Sequence, residues 1–427
     1  MLPYNSELQF AIPIELLQNI LQELPQCQLF SICSLSRAFH KEVLRALYRH
    51  VNLVGTGTID QVLSFAGHMI RRPDLAQLIL AISLPAEIGC EYIEVDEALV
   101  DHMTEQLSCA LKHMGNLSAV YIDDIYNPRI KAIYGYLSGD YFLGHAFRLQ
   151  KFRFSSRISM GNLVTLRFLS EQSQIQDLET STNFDVVIMD RQDNPTVDIL
   201  PLISVASIWY DERVLFNLIA SRPLRRLKLS MPGPRHNTHN NDLDAIHALA
   251  PASATLTHLY YNQLCLLGGV DEAAHVVTLE VIAQGLPNLK FLRYADIIDL
   301  HVSICTLYGY TFVSHDPVRK WDLKPWKWNA FPRALSAFKH LETFAIEVRD
   351  RYSVPARPFD LARGLVERCM ASCSTLRYIA ITGKPQMCDM HSNAIQEHIS
   401  FKRVPGRGSK TEICSREALE ESAWRDT

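Results

Sequence analysis

One phrase returns along this chain: an apolar residue, two variable ones, a second apolar residue, one variable residue, and a third apolar one. It stands at Leu75/Leu78/Leu80, Leu117/Val120/Ile122, Leu149/Phe152/Phe154, Leu224/Leu227/Leu229, Leu256/Leu259/Tyr261, Leu289/Leu292/Tyr294, Leu341/Phe344/Ile346 and Leu376/Ile379/Ile381. Weaker copies stand at Ile175/Leu178/Thr180 and Leu202/Val205/Ser207. The last two apolar positions of each copy are alternate residues, which in a strand share one face. Between the copies lie stretches of helical spacing: Leu99, Met103, Leu107 and Leu111; Val214, Leu215, Leu218 and Ile219; Leu243, Ile246 and Leu249; Leu361, Leu365 and Cys369. A strand and a helix that recur every few tens of residues cannot each bury an apolar side alone. Stacked, they share one continuous core.

The phrases Leu286-Pro287-Asn288-Leu289-Lys290-Phe291-Leu292 and Cys373-Ser374-Thr375-Leu376-Arg377-Tyr378-Ile379 resemble the leucine-rich repeat. That resemblance implies an α/β fold: an irregular solenoid with parallel strands on its concave side and helices outside. The asparagine ladder usual after the strand in that family is mostly missing here. The expected array covers residues 54–400. Residues 401–427, basic at Lys402, Arg403, Arg407 and Lys410 and acidic at Glu417, Glu420 and Glu421, are expected to form a partly disordered tail.

Ahead of the array, Leu16, Leu17, Ile20, Leu21 and Leu24 give a first helix one apolar face. Pro13 starts it without losing a hydrogen bond, Glu15 places negative charge at its positive end, and Leu24-Pro25 ends it. Leu29, Ile32, Cys33 and Leu35, then Phe39, Val43, Leu44 and Leu47, fit two more short helices. About forty residues make too small a core to be secure alone. Pro13-x-Glu15-Leu16-Leu17-x-x-Ile20-Leu21-x-x-Leu24, Leu29, Leu35-Ser36-Arg37-x-Phe39-His40 and Leu47-Tyr48-Arg49 together resemble the F-box, in the form common in fungal proteins. Ile12 stands for the family's leucine and Phe39 for its frequent tryptophan. The resemblance implies an F-box over residues 1–53 that docks on a Skp-family adaptor of a cullin-RING ubiquitin ligase. Its adaptor contacts would be Ile12, Pro13, Leu16, Leu17, Ile20, Leu21, Leu24, Leu29, Leu35 and Phe39.

Charge is nearly balanced, 42 Lys and Arg against 46 Asp and Glu, so no whole-chain field favours nucleic acid or anionic lipid. No apolar run is long enough to span a bilayer, and the first residues lack the pattern of a signal peptide. The 10 cysteines form no compact framework, which suits reduced thiols in cytoplasm or nucleus. A protein partner is the expectation, with neither a nucleic acid nor a membrane.

If the recurring leucines point inward, the residues between them form the opposite strand face. That face carries Lys151, Arg153, Asp177, Glu179, Arg226, Lys228, His258, Tyr260, Asn262, Phe291, Arg293, Glu347 and Tyr378. Lys151, Arg153, Arg226, Lys228, His258, Tyr260 and Arg293 are the candidate substrate contacts, a cationic and aromatic set of the kind favoured at interfaces. A merely solvated face would carry charges as well. Trp321, Trp326 and Trp328, among lysines and prolines, are a second candidate, in a loop or filling gaps between helices. The insert from Tyr126 to Phe147 is a lesser one.

Other motifs lead away from chemistry. Gly55 and Gly57 lack the third glycine of a dinucleotide loop and the lysine of a phosphate loop. Thr58 with Gln61 reads as a capping box. His236, His239 and Asp242 lie in a Pro- and Asn-rich stretch, and Cys369 and Cys373 continue apolar patterns, so no metal site and no cofactor are expected. No hydrolase or zinc-protease motif occurs, and the chain is expected not to be an enzyme. Two functions stay open: a substrate-recognition subunit of a Skp-cullin-F-box ligase, or a repeat scaffold for protein binding unrelated to ubiquitin. Neither the substrate nor its dependence on modification is legible.

Overall fold

The computed structural model describes residues 13–33, 37–54, 58–85, 87–90, 97–123, 132–135, 142–155, 162–180, 199–210, 213–231, 239–264, 272–297, 330–348, 358–383, 397–404, 406, 408 and 410–414. They fall into two units, residues 1–175 and 176–427. Both are mixed α/β.

Unit 1 starts with three helices, α1 (Ile14–Glu23), α2 (Gln26–Ile32) and α3 (Arg37–Arg49). Pro13 is the N-cap of α1, and Leu24 is extended at its C-cap. That conformation is what a following proline imposes, and Pro25 in turn caps α2. The rest of the unit runs β1 (His50–Asn52), α4 (Ile59–Arg71), α5 (Pro73–Ala76), β2 (Ala81–Pro85), β3 (Glu87–Cys90), α6 (Glu97–Lys112), β4 (Ala119–Asp123), β5 (Ala132–Gly135), β6 (Lys151–Ser155) and α7 (Asn162–Glu171). β1, β2, β4 and β6 lie side by side and parallel. β3 and β5 make a separate antiparallel ribbon.

Unit 2 runs β7 (Asp177–Thr180), β8 (Val205–Trp209), α8 (Arg213–Ala220), β9 (Arg226–Met231), α9 (His239–Ala248), β10 (His258–Leu264), α10 (Glu272–Gly285), β11 (Phe291–Ile297), α11 (Ala330–Ala334), β12 (Thr343–Val348), α12 (Pro358–Ser372), β13 (Tyr378–Gly383), β14 (Glu397–Arg403) and β15 (Thr411–Cys414). From β7 to β13 each strand pairs in parallel with the next in chain order. β14 and β15 then add two antiparallel strands.

The recurring apolar residues make the cores. Leu224, Leu227 and Leu229, Leu256, Leu259 and Tyr261, and Leu289, Leu292 and Tyr294 are all buried. So are Met103, Leu107 and Leu111 on α6, Ile246 on α9, and Leu365 and Cys369 on α12. From β2 onward, at the start of each parallel pairing described above, one carbonyl accepts two successive N–H groups of the next strand. The Leu80 carbonyl takes Ser118 and Ala119, Arg225 takes Thr257 and His258, Thr257 takes Lys290 and Phe291, and Glu342 takes Arg377 and Tyr378. Side chains add to this joint: Asn116 Nδ2 donates to the Gln77 carbonyl at 2.8 Å and Thr255 Oγ1 to the Leu224 carbonyl at 2.7 Å. Stacking is therefore tied by polar bonds at the strand starts as well as by leucines. Gly285 lets α10 approach α9, since a Cβ there would meet Ile246 Cγ2 at 2.5 Å.

Several sequence expectations are corrected. The first copy of the phrase is Ile79/Ile82/Leu84, not Leu75/Leu78/Leu80: Ile82 and Leu84 pair in register with Val120 and Ile122, while Leu75 lies on α5 and Leu80 is exposed. Both settings satisfy the spacing, and Pro73 at the start of α5 decides between them by prolonging helix through Leu75. The copy at Leu202/Val205/Ser207 is off by one residue. Leu178 pairs with Ala206, Ile203, Ala206 and Ile208 are the buried set, and Leu202 is exposed. A one-residue slip exchanges the two faces of a strand. Thr58 is the N-cap of α4, yet its side chain makes no capping bond; the Gln61 N–H reaches the Thr58 carbonyl at 3.2 Å instead. Leu99, in the first turn of α6, is exposed.

Two supposed accessories belong to the fold. The insert from Tyr126 to Phe147 contributes β5 and the buried rings of Phe142 and Phe147, with Phe142 5.8 Å from Phe168. The boundary at residue 400 falls inside β14, and β15 lies within the supposed tail. Gly406 and Gly408, both at positive φ, turn the chain between them. Arg403 donates through Nε to the Leu376 carbonyl at 2.7 Å and through Nη2 to the carbonyls of Met370 and Cys373 at 2.6 and 2.9 Å. It satisfies acceptors at and just beyond the C-terminus of α12, where helix carbonyls have no partner of their own.

Candidate functional site

The three N-terminal helices close around Leu21, Leu29 and Val43, with Leu17, Leu24, Ile32, Cys33, Ala46 and Leu47 packed at the margin. Polar bonds fix their angles. Glu42, nearly buried on α3, accepts from Gln18 Nε2 on α1 at 2.9 Å and from Arg45 Nη1 at 2.8 Å. At the other end Cys33 Sγ lies 3.0 Å from His40 Nδ1. α3 continues into β1, and the Leu80 N–H bonds the Arg49 carbonyl at 3.0 Å, so the triplet is anchored to the strands of unit 1 at that end. A cleft of about 390 Å³ lies there, lined by Gln18, Glu42, Arg45, Arg49, Gln77 and Asn116 among others.

On the triplet Leu16, Ile20 and Phe30 are 53%, 46% and 68% exposed. Three large apolar side chains in water on helices this short form a surface suited to being covered. Pro13 is exposed as well, and Leu17 and Leu24 are half-buried against the small core. Leu21 and Leu29, expected as adaptor contacts, are corrected: at 2% and 3% exposure they are the core that holds the helices together. Ile12, Leu35 and the side chain of Phe39 lie outside the described residues. Phe30 was not among the expected contacts. Its neighbour Leu29 carries the helical pattern, and only the packing shows which of the two turns outward.

The polar strand face appears in both units. In unit 1 Lys151 is exposed and Arg153 pairs with Asp123 across neighbouring strands at 3.1 Å. Nearby, His50 Nε2 lies 2.9 Å from Ser83 Oγ, and burial lowers the pKa of that imidazole. In unit 2 the register lines up two rows. One runs Asp177, Val205, Arg226, His258, Phe291, Thr343 and Tyr378; the other runs Glu179, Ser207, Lys228, Tyr260, Arg293, Ala345 and Ala380. Tyr260 is buried on this face, with Lys228 Nζ 5.2 Å and the Arg293 guanidinium 4.5 Å from its ring centre. The ring is thus a platform that holds two cations rather than a contact residue itself. His258 stacks on Phe291 at 5.6 Å, and burial, with the fields of Arg226 and Lys290, pushes its pKa down to about 4.

Five of the expected substrate contacts, Arg226, Lys228, His258, Tyr260 and Arg293, thus occupy three adjacent strands of unit 2. Lys151 and Arg153 belong to unit 1. Trp321, Trp326 and Trp328 lie outside the described residues. Among the described residues no group of three or more His, Cys, Asp or Glu side chains is placed to hold a metal. Cys369 and Cys373 are buried thiols: Cys373 Sγ lies 3.3 Å from Thr375 Oγ1, and burial pushes Cys369 up to about 12. His236 lies outside the described residues, as do the side chains of His239 and Asp242. Among the described residues no helix is long and apolar enough to cross a membrane.

No curated protein matches the chain. Residues 10–45 match the family model of the F-box domain, and F-box domains in general bind a Skp-family adaptor within cullin-RING ubiquitin ligases. α1, α2 and most of α3 lie in that matched stretch, which is similar in sequence to the F-box and turns Leu16, Ile20 and Phe30 to solvent.

Proposed function

We propose that this protein is a substrate-recognition subunit of a Skp-cullin-F-box ubiquitin ligase. One observation carries the reading: within the stretch that matches the F-box, the inner leucines are used up in a small core while Leu16, Ile20 and Phe30 stay in water. A helical cap made only to end an array would turn such residues inward. In this reading residues 1–53 are the adaptor module. The strands and helices of each unit that follow act as leucine-rich-repeat-like elements that hold the target; their support is the parallel pairing within each unit and the recurring strand-start bonds. The chain contributes by bringing a target's lysines to a conjugating enzyme, which raises effective concentration and calls for no catalytic residue of its own.

Co-expression with a Skp-family adaptor tests this. The wild-type chain forms an equimolar complex with it, and the Leu16→Asp/Ile20→Asp variant loses the complex while keeping its circular dichroism and thermal midpoint. Complex formation that survives both substitutions, or a wild-type chain that ignores the adaptor, overturns the proposal in favour of a repeat scaffold unconnected with ubiquitin.

A further inference from the structure

Resting on the reading of unit 2 as the target-holding part, we infer that the strand face across β9, β10 and β11 binds an acidic, extended segment of a protein.

Arg226 and Lys228 stand on β9 and Arg293 on β11, each on the face opposite the buried leucines. Lys290, exposed, immediately precedes β11. Lys228 and Arg293 approach the same Tyr260 ring from its two flanking strands, so their heads are positioned before a ligand arrives. Less side-chain entropy is then lost on binding. Burial is the main reason the His258 pKa is low, and Arg226 and Lys290 lower it further by opposing another positive charge there. The imidazole stays neutral at physiological pH and offers a flat, apolar surface stacked on Phe291.

Spacing fits an extended chain. Lys228 and Arg293 reach one ring from its two sides, within 5.2 and 4.5 Å of its centre. Alternate residues of an extended segment share a face and lie about 7 Å apart, so carboxylates two residues apart on a segment crossing the strands would meet Lys228 and Arg293 in turn, with Tyr260 beneath the residue between them. Beyond β11 the rows change character. Ala345 and Ala380 are small and buried against Phe291, and Glu347, two residues after Ala345 on β12, brings an acidic residue back to this face. On the other side, β7 carries Asp177 and Glu179 on the same face. That change of sign favours a peptide, whose charges are local, over a nucleic acid, which brings a phosphate at every step.

The test uses the full chain in complex with its adaptor and a fluorescein-labelled poly-glutamate peptide, with poly-lysine, a Gly-Ser peptide and oligo-dT as comparison probes. Anisotropy is expected to show a preference for poly-glutamate that weakens with salt, and Lys228→Glu/Arg293→Glu is expected to lower its affinity at least ~tenfold. Lys112→Glu/Lys339→Glu, with the same charge change at exposed positions away from this face, is expected to leave binding within about twofold. Lys228→Gln/Arg293→Gln, milder for folding, is expected to fall between. Equal loss in the control variant, no loss in the charge-reversed one, or tighter binding of poly-lysine, the Gly-Ser peptide or oligo-dT overturns the inference. Adaptor capture is read on the same preparations. Capture without poly-glutamate binding sinks this inference alone, and poly-glutamate binding without capture sinks the ligase reading alone.

Discussion

The N-terminal helices and the strands of unit 2 are both rich in leucine, and they use it differently. In β9, β10 and β11 every residue of the repeated apolar phrase is buried, and the opposite face carries Arg226, Lys228, His258, Tyr260, Phe291 and Arg293. In α1 and α2 the leucines divide: Leu21 and Leu29 go inward, and Leu16 and Ile20 stay in water with Phe30. A strand in a stacked array has neighbours on both edges and a helical layer behind it, so its apolar face can be covered completely. Three helices of 10, 7 and 13 residues have too little of themselves to cover two faces. The difference separates two uses of the same side chain: the buried leucines of the strands hold the fold, and under the proposed function the outer residues of the triplet meet the adaptor.

The sharpest way to break this contrast is to shorten a leucine on each side of it. Leu227→Ala in β9, a fully buried position, is expected to cost about 2–5 kcal/mol, read as a lower urea midpoint. A smaller loss would mean that the array closes around the cavity and is not rigidly stacked. Next comes Arg403→Ala. It removes a charged donor from the carbonyls of Met370, Cys373 and Leu376, of which Cys373 keeps the Leu376 N–H, and is expected to cost about 2 kcal/mol. A variant as stable as wild type would return β14 to the status of an appendage.

A pH series sharpens the contrast within the strand face. The folded-state pKa of His258, about 4, lies below its ordinary 6.5, so the unfolded chain takes up the proton more readily. The contribution of this site to stability is complete above pH 6.5 and is lost as pH falls from there toward 4. His258→Phe should flatten that part of the curve, and an unchanged slope would place the titration elsewhere. The smallest expected effect is Leu16→Ala. It should move stability by less than about 0.5 kcal/mol in the same urea experiment while weakening adaptor capture. A loss as large as that of Leu227→Ala would show the two kinds of leucine to be the same kind.

Much of this was legible from spacing. The strands at Leu224, Leu256, Leu289, Leu341 and Leu376 begin where the phrase places them, because a buried strand leaves little freedom in its alternating residues. Pro13 and Leu24-Pro25 bound the first helix as written, since proline acts locally. The failures fell where a local pattern has two solutions. Leu75 and Ile79 both open an acceptable phrase, and Leu202 and Ile203 differ by one step. Arg403 looked like part of a basic tail because the signals on either side of it are weak: a strand that carries Glu397, His398 and Lys402 among its apolar residues, then two glycines in a turn.

By itself the sequence determined the class of fold and the motif at the front, because periodic burial and proline geometry are properties of short stretches. Which leucines of α1 and α2 face the core, which cations share the Tyr260 ring, and that Arg403 closes the end of a helix were decided only by tertiary structure. Each of these depends on residues far apart in the chain arriving side by side, and no local spacing encodes such an arrival.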